Sequence, residues 1–119
     1  MTKGQKEAKI SEIITQFEAE YMGRGSKTIN VKIIDDVVFV RQWGFLTPAE
    51  KLLTGTAAGT ELTRKVRASL FEKVNKQFKK AINEVIKSKI ISIHSDVSTI
   101  IGEKIIVITF DENIEEKLS

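Results

Sequence analysis

The chain has 119 residues, 41% of them hydrophobic and 29% charged, and a formal net charge of +3. That length suits one domain with its own core rather than two, and so small an imbalance of charge does not by itself demand a polyanionic partner. Cysteine is absent, which excludes disulfides and thiolate metal sites, and no apolar run approaches the roughly 20 residues of a bilayer span. The first stretch, MTKGQKEAKISEIITQF, lacks the continuous apolar core of a secretory signal. A cytoplasmic chain that does not span a membrane is therefore expected.

Ile10, Ile13, Ile14, Phe17 and Tyr21 recur at helical spacing and predict an amphipathic helix. It ends at MGRGSK, where Gly23 and Gly25 supply the left-handed conformations that stop helices. The same stretch offers backbone amides and two cations to an anion. It follows a helix rather than preceding one, however, and lacks the spacing of a phosphate loop, so a C-cap is the preferred reading. Ile29, Val31 and Ile33 then alternate with Thr28, Asn30 and Lys32, the period of a strand. Asp35 and Asp36 form a two-residue hairpin turn, and Val37 to Trp43 the second strand.

In LTPAEKLL, Thr47 caps, Pro48 suits the first helical position and Glu50 completes a capping box. The short helix breaks at TGTAAGT, where Gly55 and Gly59 make a joint. Thr60 is the expected cap of a long second helix. Its core face reads Leu62, Val66, Leu70, Val74, Phe78, Ala81 and Val85, widened by Phe71, Ile82 and Ile86. KIISIHSD and EKIIVITF are two more strands, joined through VSTIIG, and the acidic DENIEEKLS reads as a last helical turn.

Helix, hairpin, helix, hairpin is the order of an α+β, two-layer sandwich: a four-stranded, mostly antiparallel sheet with both helices on one face. In the last strand Ile106, Ile108 and Phe110 alternate with Ile105, Val107 and Thr109, so both faces are apolar. A sheet with one wet face alternates more cleanly. A homodimer covering the second face is the simplest expectation.

The polar stretch SIHSDVST holds the single histidine. On a strand His94 and Asp96 point to one face and Ser95 to the other, so His94 cannot activate its neighbour. No catalytic residue and no metal site is assigned. His94 and Asp96, with Arg24 and Arg41 if the hairpins are adjacent, form a candidate polar or anion site, and Ser98 and Thr99 shape the turn. Arg64, Lys65, Arg67, Lys73, Lys76, Lys79 and Lys80 give the long helix a basic character opposed only by Glu61, Glu72 and Glu84. No nucleic-acid signature accompanies them, so a solvated face ranks above nucleic-acid or membrane-surface binding.

Three stretches together, YMGRGSKTI, LTPAEKLL with the Gly-Thr-Glu-Leu that follows, and ISIHSDVSTIIGEKIIVITFD, resemble the bacterial MpsC-like family, a domain of unknown function. The likeness runs from about Ile10 to Asp111 and implies a single MpsC-like α+β domain over 1–119, standing alone. It maps Gly23, Arg24 and Gly25, then Leu46 to Glu50, then His94, Ser95 and Asp96 with Ser98, Thr99 and Gly102. Departures are Ser26, where members often have proline, and TII before Gly102, where a lysine is common. The family label, a Na+-translocating, membrane-potential-generating system, implies a connection with ion or inorganic-carbon transport. The expectation is thus a non-enzymatic, cytoplasmic accessory or regulatory protein, dimeric, without a cofactor, with a membrane transport protein as partner. The alternatives are a nucleic-acid-binding regulator using the basic helix and a small-anion-binding protein or enzyme.

Overall fold

Thr2 begins the first helix by a reciprocal cap: its hydroxyl accepts from the Gln5 amide while the Gln5 side chain accepts from its own N–H. A computed structural model describes residues 1–117, and in it this helix, α1, spans Lys3–Tyr21. Ile10, Ile14 and Phe17 are buried along it, and Tyr21 stands at the margin with its ring tilted on Phe17, centroids 4.7 Å apart. The Met22 N–H donates to the Glu18 carbonyl, and Gly23 follows at φ 85°, a conformation that glycine adopts without steric cost.

Strands β1 (Thr28–Ile34) and β2 (Val37–Trp43) form the first hairpin, closed at Ile34 opposite Val37. Asp35 alone in its two-residue turn takes a positive φ, 54°. Helix α2 (Pro48–Leu53) starts at Thr47 with the capping box completed by Glu50. Helix α3 (Ala57–Asn83) follows, then β3 (Ile90–Ser98), β4 (Glu103–Phe110) and the short α4 (Ile114–Lys117). The acidic turn is thus a helix over those four residues, and Leu118 and Ser119 lie outside the described residues.

The sheet order is β1-β2-β4-β3, and all three neighbouring pairs are antiparallel. One face carries Val31, Ile33, Val38, Val40, Ile106, Ile108 and Phe110, which pack with Ile10, Ile14 and Phe17 of α1 and Phe78 and Ile82 of α3 into a single core. Both long helices therefore cover the same face. α4 closes one end of that core with Ile114. It is tied to the hairpin turn, where the Asp35 N–H donates to the Glu115 carboxylate and the Glu115 N–H to the Asp35 carbonyl.

Three readings of the long helix change. Its cap is Thr56, whose hydroxyl accepts from the Gly59 amide. Thr60 sits one turn inside. Gly59 is no joint but a contact point: a Cβ there would stand 1.7 Å from the Leu53 carbonyl oxygen, so only glycine lets α2 fold back so closely. The expected core face also fails in the first half of α3, where Leu62, Val66 and Leu70 are 49%, 47% and 38% exposed. At 1.5 Å per residue, α3 is about 40 Å long, and its first turns run beyond the apolar layer. There the buried side is Gly59, Thr63 and Arg67, shifted around the helix from the leucine stripe.

Candidate functional site

Strand alternation sets the stage at the sheet's other, uncovered face. Ile93 pairs with Ile108 and faces the helices, so His94 and Asp96 face outward beside Val107 and Ile105. Across β2 and β4 the same face continues through Phe39 next to Val107 and Arg41 next to Ile105. Arg41 and Asp96 thus share one row of the sheet, with Ile105 between them. Apolar Val37, Phe39, Trp43, Ile105 and Val107 are all half-buried rather than buried, since no element among the described residues packs on them.

Three of the four residues of the candidate polar site, Arg24, Arg41 and Asp96, are held by different partners. Arg41 donates to Glu103 through Nε and Nη2, at 3.2 and 2.6 Å, with its guanidinium 4.9 Å from the centroid of the Trp43 ring. Asp96 accepts from Arg64 of α3 at 2.8 Å and from the Val97 amide. Its carboxylate is drawn toward the helix layer. His94 is exposed on the open face. Arg24 donates to the Leu46 carbonyl at 3.3 Å, bracing the loop that leads into α2. Ser98 ends β3, Thr99 enters the tight loop, and Gly102 closes it at φ 68°. Ile100 and Ile101 project from that tip, 95% and 64% exposed.

A second polar group, inside the molecule, escaped the sequence reading. Glu18, in the last turn of α1, is buried and accepts from Lys104 Nζ at 2.8 Å. The Gln42 amide also donates to Glu18 and reaches the Ser26 hydroxyl at 2.7 Å. Ser26 is a working member of this network, donating in turn to Glu18 at 3.2 Å. Lys104 and Gln42 occupy inward positions of β4 and β2, directly paired. The signal was available: each breaks an otherwise apolar run of alternate strand residues.

Arg67 is the other buried charge. Its Nε and Nη2 donate to the two Glu50 carboxylate oxygens at 2.6 and 2.8 Å, Nη2 reaches the Phe45 carbonyl, and the guanidinium lies over the Phe45 ring. The helix-capping Glu50 is thereby also the partner that admits Arg67 to the interior. Burial pushes the Glu50 carboxyl up, but the bonds from Arg67 and Thr47 and the guanidinium charge outweigh it, leaving the pKa below its ordinary value. A carboxyl depressed on folding contributes stability that is present above its unfolded pKa and lost as pH falls through the folded one. Glu50→Gln is therefore expected to flatten the acid limb of a stability–pH profile measured by thermal melting. An unchanged slope would mean that the pair does not govern that limb.

Among the described residues no three His, Asp or Glu side chains gather as a metal site, and no helix is long and apolar enough to cross a membrane. The chain is similar to the uncharacterized protein YbcI of Bacillus subtilis (strain 168), 34% identical over 117 residues, 98% of this chain and 94% of that protein. It is also similar to the uncharacterized protein YrhF of the same organism, 24% identical over 109 residues, 91% and 89% of the two chains. No solved structure matches. The family model described as Na+-translocating membrane potential-generating system (MpsC) matches residues 2–112, nearly all of the helix–hairpin–helix–hairpin unit, and the chain belongs to that family.

Proposed function

We propose that this chain is a non-catalytic, cytoplasmic accessory or regulatory protein of a membrane ion-transport system, and that it works as a homodimer. The observation that carries the reading is the open sheet face, with Phe39, Val107 and Ile105 half-buried at its centre and no element among the described residues to cover them. A contiguous apolar patch with a polar margin is the signature of a surface that meets another protein. The family description supplies the setting, a Na+-translocating system. With no membrane-crossing helix among the described residues, the chain's part in such a system is played from the membrane's aqueous side. The exposed Ile100 and Ile101 tip and the leucine stripe of α3 remain for a transport protein once the sheet face is filled by a second copy.

The test is functional reconstitution. Membrane vesicles from cells lacking this chain should take up Na+ at an altered rate, and adding the purified protein should restore the rate of wild-type vesicles. Identical flux and membrane potential with and without the protein would defeat the reading.

A further inference from the structure

The two most exposed large apolar side chains among the described residues, Ile100 and Leu52, stand at the same end of the molecule. Asp96, near the end of β3, accepts from Arg64, which fixes the first turns of α3 beside the β3–β4 loop. From Arg64 back to Ala57 the helix runs on for about 10 Å. From Asp96 to Ile100 the chain reaches up to about 13 Å in the same direction. Helix α2 folds back on that start of α3, with the Leu53 carbonyl against Gly59. This end therefore carries two apolar points. One is Ile100 and Ile101 in the β3–β4 loop, 95% and 64% exposed, and the other is Leu52 and Leu53 at the close of α2, 85% and 42% exposed.

Charge at this end favours an anionic partner. Glu50, Glu61, Asp96 and Glu103 are each held by a cation, Arg67, Lys65, Arg64 and Arg41 in turn. Lys51, next to Leu52, and Lys27, at the foot of β1, are exposed and have no acidic partner among the described residues. Arg24 is bonded only to the Leu46 carbonyl, so its charge is uncompensated as well. Against these three cations stands the exposed Glu20 in the last turn of α1. Shape adds a second argument. Convex points bury little against a rigid protein face, which needs roughly 800 Å² per partner in close fit. A fluid bilayer surface admits them, because aliphatic side chains enter the headgroup boundary while lysines beside them meet anionic headgroups.

We infer that this end docks on an anionic bilayer surface, with Ile100, Ile101, Leu52 and Leu53 entering the headgroup boundary and Lys27 and Lys51 facing the headgroups. The accessory reading leaves the loop tip open to a transport protein. Its convex shape and the free cations assign it instead to the lipid around such a protein, and the leucine stripe of α3 stays free for the protein itself. The inference rests on that reading only for its setting, since docking on lipid requires neither a transport protein nor a dimer. A face-to-face dimer with its axis along the strands would point this end of both copies the same way, so that both dock at once.

Co-sedimentation of the full chain with protein-free vesicles tests the inference. Vesicles of phosphatidylglycerol and phosphatidylcholine in equal parts should bind about tenfold or more tighter than phosphatidylcholine alone, the scale of a few lysines near a charged surface. Ile100→Ser combined with Ile101→Ser should weaken binding to the anionic vesicles by about tenfold or more. Circular dichroism and melting temperature should stay as in the wild type, since both side chains already face solvent. Lys51→Glu should reduce the preference for phosphatidylglycerol. Failure to bind the anionic vesicles, undiminished binding by the double variant, or equal affinity for both lipids would each overturn the inference. So would binding to native membrane vesicles that is absent from protein-free vesicles of the same lipids, which would assign this end to a membrane protein. Docking on protein-free vesicles together with unaltered Na+ flux in the reconstitution would uphold the inference and remove the accessory reading.

Discussion

Lys104→Met is expected to cost about 3–5 kcal/mol, the loss typical of a buried ion pair that is broken from one side. Glu18 is 3% exposed, so once the ammonium is gone its carboxylate is left charged in the interior with the Gln42 amide and Ser26 hydroxyl as its remaining donors. The loss comes from that stranded charge more than from the intrinsic strength of the bond. Removing both members separates the two contributions. Lys104→Met combined with Glu18→Met leaves no charge to strand, and replacement of buried pairs by apolar residues of similar volume is often close to neutral. The double variant should recover most of the loss but not all of it, because the Gln42 amide gives up one acceptor and keeps Ser26. Urea unfolding of the wild type, both single variants and the double variant completes the cycle. A single-variant loss of about 1 kcal/mol or less, the scale of an exposed pair, would show that water reaches Glu18 and that the network does not hold α1 to the sheet.

The same pair shows what periodicity conveys and what it does not. The strands were legible because β-branched residues alternate along them, and the α2 start because Thr47, Pro48 and Glu50 combine a cap, a permitted proline and a reciprocal bond. The family resemblance also stands on stretches that prove to be the end of α1, the capped start of α2 and the β3–β4 hairpin. The long helix was harder. Leu62, Val66 and Leu70 form an apolar stripe with the spacing of a core face, and hydrophobicity alone points it inward. Yet the buried side there is Gly59, Thr63 and Arg67. Each is buried for a reason that hydropathy does not score: glycine for close approach to Leu53, Thr63 by bonding the Gly59 carbonyl, and Arg67 by its two-pronged pair with Glu50. Pair partners 17 residues apart or 86 apart are products of the tertiary fold, so no local pattern marks them. For the open face the limit was different. Alternation correctly put His94 and Asp96 on one side and Ser95 on the other, but only the fold shows that Asp96 turns to Arg64 and that Arg41 is already held by Glu103.

Val107→Lys is expected to convert the protein from dimer to monomer at micromolar concentration while leaving the fold intact. Val107 lies in the centre of the open face, with Phe39 on one side and His94 on the other. In the isolated chain it is only half-buried, so a lysine there reaches solvent and strains nothing. In a face-to-face dimer the same position comes close to its own symmetry mate, because a two-fold interface repeats each residue across the axis. Two ammonium groups are then desolvated together in an apolar contact, and the affinity should fall about 100-fold or more. The face is suited to meet a copy of itself. Its middle columns, β2 and β4, carry Val37, Phe39, Ile105 and Val107 above the Arg41–Glu103 ion pair, while Lys32 lies on the β1 margin and His94 on the β3 margin. A two-fold axis parallel to the strands sets each β1 margin over the partner's β3 margin, so polar residues meet at both rims and the apolar residues meet between them, the usual anatomy of a protein interface. The neighbouring residue is the control. Ile106 is 1% exposed on the opposite face, inside the core, and Ile106→Lys should unfold the chain rather than dissociate it. Sedimentation or light scattering distinguishes the two, with circular dichroism to confirm folding. A wild-type monomer at micromolar concentration, or a Val107→Lys variant that stays dimeric, would remove the sheet face as the site of self-association.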